Sequence, residues 1–349
     1  MGNQKPISTL LTIFALGFIL SGCASQLSIS ALQPAEIDRA ATLKQVGVLP
    51  FDERDESKRR SHNVNLGPKI EAKLAAYQLD NSNYFTVVSR SDLDRIISEQ
   101  KFQRSGLVDE SRVAEIGRLA GAQSLISGSV SSTSLNDSSY RATRTRRVGC
   151  DSKGKNCRTQ TYTVPCKTRT ISLGAQVRMV DVSRGDLVTA QSYNETLKRQ
   201  ACQDTSSTLP SLQEGIEILS DRVANDFVRK ITPQRITFKV TLIEKLDVKL
   251  PKEHEEKFKS ALAFLKAGRM DRSDQLLTEL LHDSQQQSYA IAYNLGVIKE
   301  ASANYNDAKS LYAIADSLTL KPVKEIKLAV NRIDGLISQH HRAHNQIQQ

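Results

Sequence analysis

Four cysteines, Cys150, Cys157, Cys166 and Cys202, lie close together, and sulfur chemistry is the first chemistry the sequence offers. In an oxidising compartment an even set closes as two disulfides, with three connectivities open. Cys150 and Cys157 flank Asp151-Ser152-Lys153-Gly154-Lys155-Asn156, a polar, turn-rich run suited to a hairpin tip. A bridge between them would staple its two arms and leave Cys166 for Cys202. Zinc is the competing reading, but six and eight intervening residues do not fit the usual knuckle spacing. The same stretch carries Arg141, Arg144, Arg146, Arg147, Lys153, Lys155 and Arg158, then Lys167 and Arg169, with Asp151 as the one acid among them. Such density attracts polyanions; a solvated loop is the bland alternative. Of six histidines, His62, His254 and His282 fall at scattered polar positions. His340 and His344 stand one helical turn apart, a spacing that can pinch a divalent ion, but in what reads as a polar tail. Asp52 and Asp55 sit in a charged loop, and no metal-hydrolase helix, nucleophile elbow, phosphate loop or dinucleotide fingerprint is present in the sequence. These residues predict a non-enzyme without metal or cofactor.

Compartment is read from the first residues. Lys5 precedes an apolar run from Leu10 to Leu20, too short to span a bilayer but right for a secretory signal. Leu20-Ser21-Gly22-Cys23 closes it as a lipobox. The pattern resembles bacterial lipoprotein signals, which implies a signal over 1–22, cleavage before Cys23 and acylation of its thiol and new amine. Each buried methylene contributes about 0.8 kcal/mol, so two or three chains, palmitate among them, anchor the chain firmly. Ala24 and Ser25 follow the cysteine rather than an aspartate, which predicts the periplasmic face of the outer membrane. Net charge is +10, yet nucleic acid is not a periplasmic partner. Lipopolysaccharide phosphates, anionic glycan, peptidoglycan carboxylates or an acidic protein remain.

The elements that position these residues form two groups. Residues 23–44 read as the lipidated cysteine and a polar, alanine-rich tether. Val46 to Phe51 is a buried strand. Leu66, Ile70, Leu74 and Tyr77 recur at helical spacing, and Tyr84 to Val88 is a second strand. Ser91 with Asp94 opens a helix carrying Leu93, Ile96 and Ile97. Asp109 caps another, carrying Val113, Ile116 and Leu119 and stopped by Gly121. Strands are then expected over Gln123 to Ser132, Arg158 to Val164, Thr170 to Val182 and Leu187 to Thr196, with Ser183 to Asp186 as a turn. A helix with Leu212, Ile216, Leu219 and Val223 closes this group, and Arg235 to Leu242 adds a strand. The result is an α/β (α+β) domain over 45–243, with a basic, disulfide-stapled hairpin at about 139–170. Residues 252–338 read as an all-α module and 339–349 as a polar tail. Tyr293, Asn294, Leu295, Gly296, Tyr305, Ala308, Tyr312 and Ala315 resemble the small-and-large spacing of a tetratricopeptide repeat. Ala261, Gly268, Met270, Ser273, Leu277 and Leu280 echo it one period earlier, and Pro322 begins a capping helix with Ile326, Val330, Ile333 and Ile337. An ordinary helical bundle is the alternative. Tyr289, Tyr293 and Tyr312 are candidates for a partner groove or for core.

The first domain resembles the CsgG-type family of periplasmic lipoproteins and its TolB amino-terminal and LpoB-like relatives. Val46-Gly47-Val48-Leu49-Pro50-Phe51, Phe85 to Arg90 leading into Leu93 to Gln100, Ala120-Gly121-Ala122-Gln123 with Ile126 to Val130, and Leu173 to Asp186 carry the likeness. It covers about Thr42 to Thr232. The resemblance implies a CsgG/TolB-N-like fold and work in assembly or export of a cell-surface or envelope structure, as in curli secretion, by protein binding and with a possible homo-oligomer. A secretion pore is one alternative it implies. Yet Arg144 and Arg146 fall on one parity of Tyr140 to Val148 and Arg141 and Arg147 on the other, which a lipid-facing strand does not accommodate cheaply. An LpoB-like activator of a peptidoglycan synthase is a second alternative; it favours a long tether, and this one is short.

Overall fold

The computed structural model describes residues 25–52, 64–99 and 109–348. The lipobox with Cys23, His62 and Asp55 lie outside them. In chain order the elements are β1 (Gln26–Gln33), α1 (Asp38–Thr42), β2 (Gln45–Val48), α2 (Leu66–Ala76), β3 (Gln78–Leu79), β4 (Ser82–Asn83), β5 (Thr86–Val87), α3 (Arg90–Glu99) and α4 (Glu110–Leu119). Then come β6 (Ser124–Val148), β7 (Arg158–Asp181), β8 (Asp186–Cys202), α5 (Leu212–Ile231) and β9 (Gln234–Thr241). Five helices follow: α6 (Lys252–Lys266), α7 (Met270–Asp283), α8 (Tyr289–Ala301), α9 (Tyr305–Ser317) and α10 (Lys324–Gln348). The chain divides into a unit of residues 30–236 with 335–349 and a unit of residues 1–29 with 237–334. The first is α/β and the second is helical, the fold class read from the sequence.

In the α/β unit a five-stranded sheet runs β5-β2-β6-β7-β8. β2 is parallel to β5 and β6, while β6, β7 and β8 are antiparallel. Side chains alternate across a strand, so each face is covered separately. Val46, Val48, Ile126, Val177 and Met179 point into one cluster with Ile70, Leu74, Ile216, Leu219 and Phe227 of α2 and α5. Leu49, Leu125, Val180 and Val182 point into the other, with Leu93, Val113 and Ile116 of α3 and α4. The caps are those the sequence predicts for α4, where Asp109 accepts from the backbone N–H of Ser111 and Arg112. α5 opens on a capping box of Ser211 and Glu214. α3 begins one residue before Ser91, so Ser91 lies inside its first turn. Leu119 is 53% exposed and lies off the apolar stripe of α4.

Three expectations are corrected. The tether over 23–44 is structured from Ser25 onward: β1 pairs with β9, and Ile29, Ala31, Ala40 and Ala41 are buried. An eight-residue strand and a five-residue helix are too short to announce themselves by period. The polar tail is helical, since α10 continues to Gln348 with Ala343 fully buried. Ala343 and Ile347 pack on the core of the α/β unit, and Gln346 bonds the backbone of Ala35 in both directions, so apolar and polar groups dock the last turns together. The strand expected to end at Ser132 runs on to Val148. Its polar residues are held by pairing with the β-branched run of β7, in a register that shifts once between Val130 and Ser132.

In the helical unit, α6 with α7 and α8 with α9 form packed helical pairs. Phe258, Ala261, Leu277, Leu280, Ile291, Leu295 and Ala308 supply its core. Gly296 is the close approach: a Cβ there would stand 2.7 Å from the Tyr312 ring. Asp247 caps α8, accepting from the Ser288 hydroxyl and the N–H groups of Tyr289 and Ala290.

Candidate functional site

β8 ends at Cys202, directly opposite Cys166 of β7. Beyond that point β6 and β7 continue as a two-stranded ribbon, from Arg141 opposite Pro165 to Val148 opposite Arg158. Seven steps at about 3.4 Å each extend it by roughly 24 Å. Two disulfides mark its ends, Cys166–Cys202 at the foot and Cys150–Cys157 at the tip. Of the three connectivities, this is the one that closes the tip on itself. Gly149 and Gly154 take positive φ there, +61° and +70°, which the turn requires and glycine supplies without strain.

Pairing sorts the ribbon's residues onto two faces. Tyr140, Ala142, Arg144, Arg146 and Val148 share one with Arg158, Gln160, Tyr162, Val164 and Cys166. Arg141, Thr143, Thr145 and Arg147 share the other with Thr159, Thr161, Thr163 and Pro165. At the foot and midway, charges are matched. Arg144 meets Asp204 at 2.9 Å, and that hydrogen bond raises the pKa of Arg144. Arg169 binds Asp137 at 2.8 Å, with Lys167 at 3.6 Å from the same carboxylate. The Arg169 hydrogen bond holds Asp137 below the usual carboxylate range. Arg141, on the first rung beyond Cys166, donates to Thr163, and Arg146, farther out than Arg144, donates to Gln160 while lying over the Tyr162 ring.

Toward the tip the matching stops. Asp151 accepts from the backbone N–H groups of Lys153 and Lys155 and from the Asn156 amide, so its carboxylate shapes the turn instead of pairing a cation. Removing the Cys150–Cys157 bridge by double replacement with serine should loosen this turn without unfolding the domain. Faster cleavage of residues 149–157 by trypsin, with the domain still folded and melting cooperatively, is the expected result; unchanged cleavage would contradict it.

The other sequence candidates are placed differently. Tyr293 and Tyr312 are buried, at 1% and 0% exposure, with ring centroids 5.7 Å apart; they are core, not groove. Tyr289 is half-buried at the start of α8. His340 and His344 stack at 6.1 Å, and among the described residues no three potential metal ligands gather. Sequence reasoning missed Glu300, which is fully buried and grips Arg332 by two bonds of 2.7 Å. The Tyr312 hydroxyl also donates to Glu300; burial, then the carboxylate's charge, keep that hydroxyl protonated. Asn294, read from the sequence only as a repeat position, pairs its amide with both backbone groups of Ile243. The lone acid of the mostly apolar, alanine-rich α8 was the signal for Glu300.

An α/β sheet prolonged into a cationic, disulfide-closed ribbon defines a scaffold for binding. Residues 33–208 match the family described as curli production assembly/transport component CsgG, half of the chain, and the chain belongs to that family. CsgG-family proteins are non-catalytic assembly and transport factors, and the chain is a non-enzyme as a member of it. Solved structures similar to the chain include the LpoB carboxy-terminal domain from Salmonella enterica, with 16% identity, 46% of this chain and 94% of that one covered and a TM-score of 0.26. Lipoprotein GNA1162 from Neisseria meningitidis has 13% identity, with 53% and 98% covered and a TM-score of 0.26. The hypothetical protein CT253 from Chlamydia trachomatis has 14% identity, with 54% and 95% covered and a TM-score of 0.27. No curated protein matches the chain. Among the described residues no helix is long and apolar enough to cross a membrane.

Proposed function

We propose that the chain is a lipoprotein anchored through Cys23 to the periplasmic face of the outer membrane, and that it serves as a non-enzymatic accessory in assembly or export of a cell-surface or envelope structure. The match of residues 33–208 to an assembly/transport family, over the domain that carries the ribbon, is the observation this reading rests on. The lipobox and two disulfides support a secreted, oxidising location. The helical unit supports protein binding: the Gly296–Tyr312 contact is the small-against-large packing of a tetratricopeptide-like pair, and such pairs present concave faces to peptides. Neither ribbon face is apolar enough to sit in hydrocarbon, which favours an accessory over a pore. Little chain separates Cys23 from the folded body, which disfavours a regulator that must reach far from its anchor.

The test is the mass and shape of the full-length acylated protein in mild detergent, by light scattering and negative-stain microscopy. A monomer or dimer is expected. A large ring would overturn the accessory reading in favour of an oligomeric pore.

A further inference from the structure

We propose that the outer end of the β6–β7 ribbon docks on a phosphate-bearing lipid surface through Arg147, Lys153, Lys155 and Arg158, without entering the hydrocarbon. The proposal rests on reading the ribbon as a binding arm and names what that arm binds. Three observations carry it. First, the cations of the outer end face no acid. Lys167 and Arg169 at the foot and Arg144 midway are neutralised by Asp137 and Asp204. Among the described residues no acid lies within ion-pair distance of Arg147, Lys153, Lys155 or Arg158, and the one acid of the tip is bound to backbone N–H groups and to Asn156.

Second, this distribution selects among polyanions. A linear anionic polymer binds along a track of open cations, and here the track is broken by the ion pairs of Lys167, Arg169 and Arg144, while Arg141 and Arg146 keep their charge but aim their guanidinium groups at Thr163 and Gln160. A planar array of phosphates needs only a projecting end. An acidic protein partner is less well served, because the tip from Gly149 to Asn156 has no aliphatic or aromatic side chain to anchor one, and the nearby Tyr162 ring is covered by Arg146. Third, the same lack of apolar groups stops the tip at the headgroup layer. With Thr143, Thr145, Thr159, Thr161 and Thr163 on one face, and Arg144, Arg146, Arg158 and Gln160 on the other, the ribbon has no surface that gains by insertion. The tip bridge keeps Lys153 and Lys155 in a closed turn, so the cations arrive together.

The experiment uses the full mature chain with Cys23→Ser, so that no acyl chain contributes, and measures co-sedimentation with vesicles. Vesicles of phosphatidylcholine with about 30% phosphatidylglycerol should bind the protein, and phosphatidylcholine alone should not. Binding should weaken steeply from about 0.05 to 0.3 M salt as the screening length shortens. Each cation near such a surface is worth roughly fivefold in affinity, so Arg147→Gln, Lys153→Gln, Lys155→Gln and Arg158→Gln together should cost on the order of several hundredfold. All four side chains are exposed, and far-ultraviolet dichroism should confirm that the variant folds. A charge-matched control replaces the exposed lysines Lys249, Lys252, Lys321 and Lys324 with glutamine and should bind like the parent. Equal binding by the tip variant, equal loss in the control, or binding to neutral vesicles would overturn the proposal. So would tight binding to dextran sulfate with none to anionic vesicles, which would assign the tip to a linear polyanion. A ring in detergent would overturn the accessory reading while leaving the vesicle result intact, so the two failures are distinguishable.

Discussion

Replacing Arg332 with methionine should destabilise the helical unit by about 3–5 kcal/mol, the cost of leaving a buried charge without its partner. Glu300 is 0% exposed, and Arg332, itself packed over the rings of Phe238 and Tyr312, supplies two of its hydrogen bonds. Without the guanidinium only the Tyr312 hydroxyl remains as a named side-chain donor, so a buried carboxylate loses its counter-charge and two of its hydrogen bonds. Urea denaturation of the full chain, followed by far-ultraviolet dichroism, reads the loss directly. Combining Arg332→Met with Glu300→Leu should recover most of it, because an apolar pair of similar volume often replaces a buried ion pair without net cost. A loss under about 1 kcal/mol in the single variant would place the pair in the class of screened surface bridges and remove it as the tie between α8 and α10.

The second large effect is expected at the foot of the ribbon. Cys166 and Cys202 are 36 residues apart in sequence, against seven for Cys150 and Cys157. Closing the longer loop removes more freedom from the unfolded chain, about 4 kcal/mol against about 2 on the chain-entropy account. Double replacement with serine at 166 and 202 should therefore lower the melting temperature of the α/β unit by roughly 8–16 °C, as expected for a domain of this size. The tip pair should give about half that shift at most. Equal shifts, or none at the foot, would mean that β7 and β8 are held by their ladder alone and that the chain-entropy account does not apply.

Where periodicity was long, sequence and structure agree: α4 with its Asp109 cap and the apolar stripe of α5 through Leu212, Ile216, Leu219 and Val223 needed nothing beyond the chain itself. β2 and the start of β6 were equally legible, since a strand covered on both faces is a continuous apolar run. The outer half of β6 was not. Ser131 to Ser139 has the composition of a loop, and only its partner across the ladder makes it a strand. The last turns of α10 were hidden for a related reason: Ala343 and Ile347 make a sparse apolar stripe among histidines, glutamines and an arginine, and Gln346 docks by hydrogen bonding. For the candidate site, residue types were readable and their pairing was not. Arg144 and Arg147 look alike in a basic run, yet one is neutralised by Asp204, 60 residues away, and the other faces no acid among the described residues.

The early start of order at Ser25 also limits movement. Its N–H donates to Glu244 and its carbonyl accepts from Leu242, so the folded body begins two residues after the proposed acylation site. Two residues extend at most about 7 Å. Acylated at Cys23 as proposed, a chain so held would have almost no leash: it would diffuse in the plane of the membrane, and a partner far from that plane would have to come to it. Encounter then becomes a two-dimensional search among molecules confined to the same leaflet, in which local surface density sets the rate and the concentration in the surrounding solution does not.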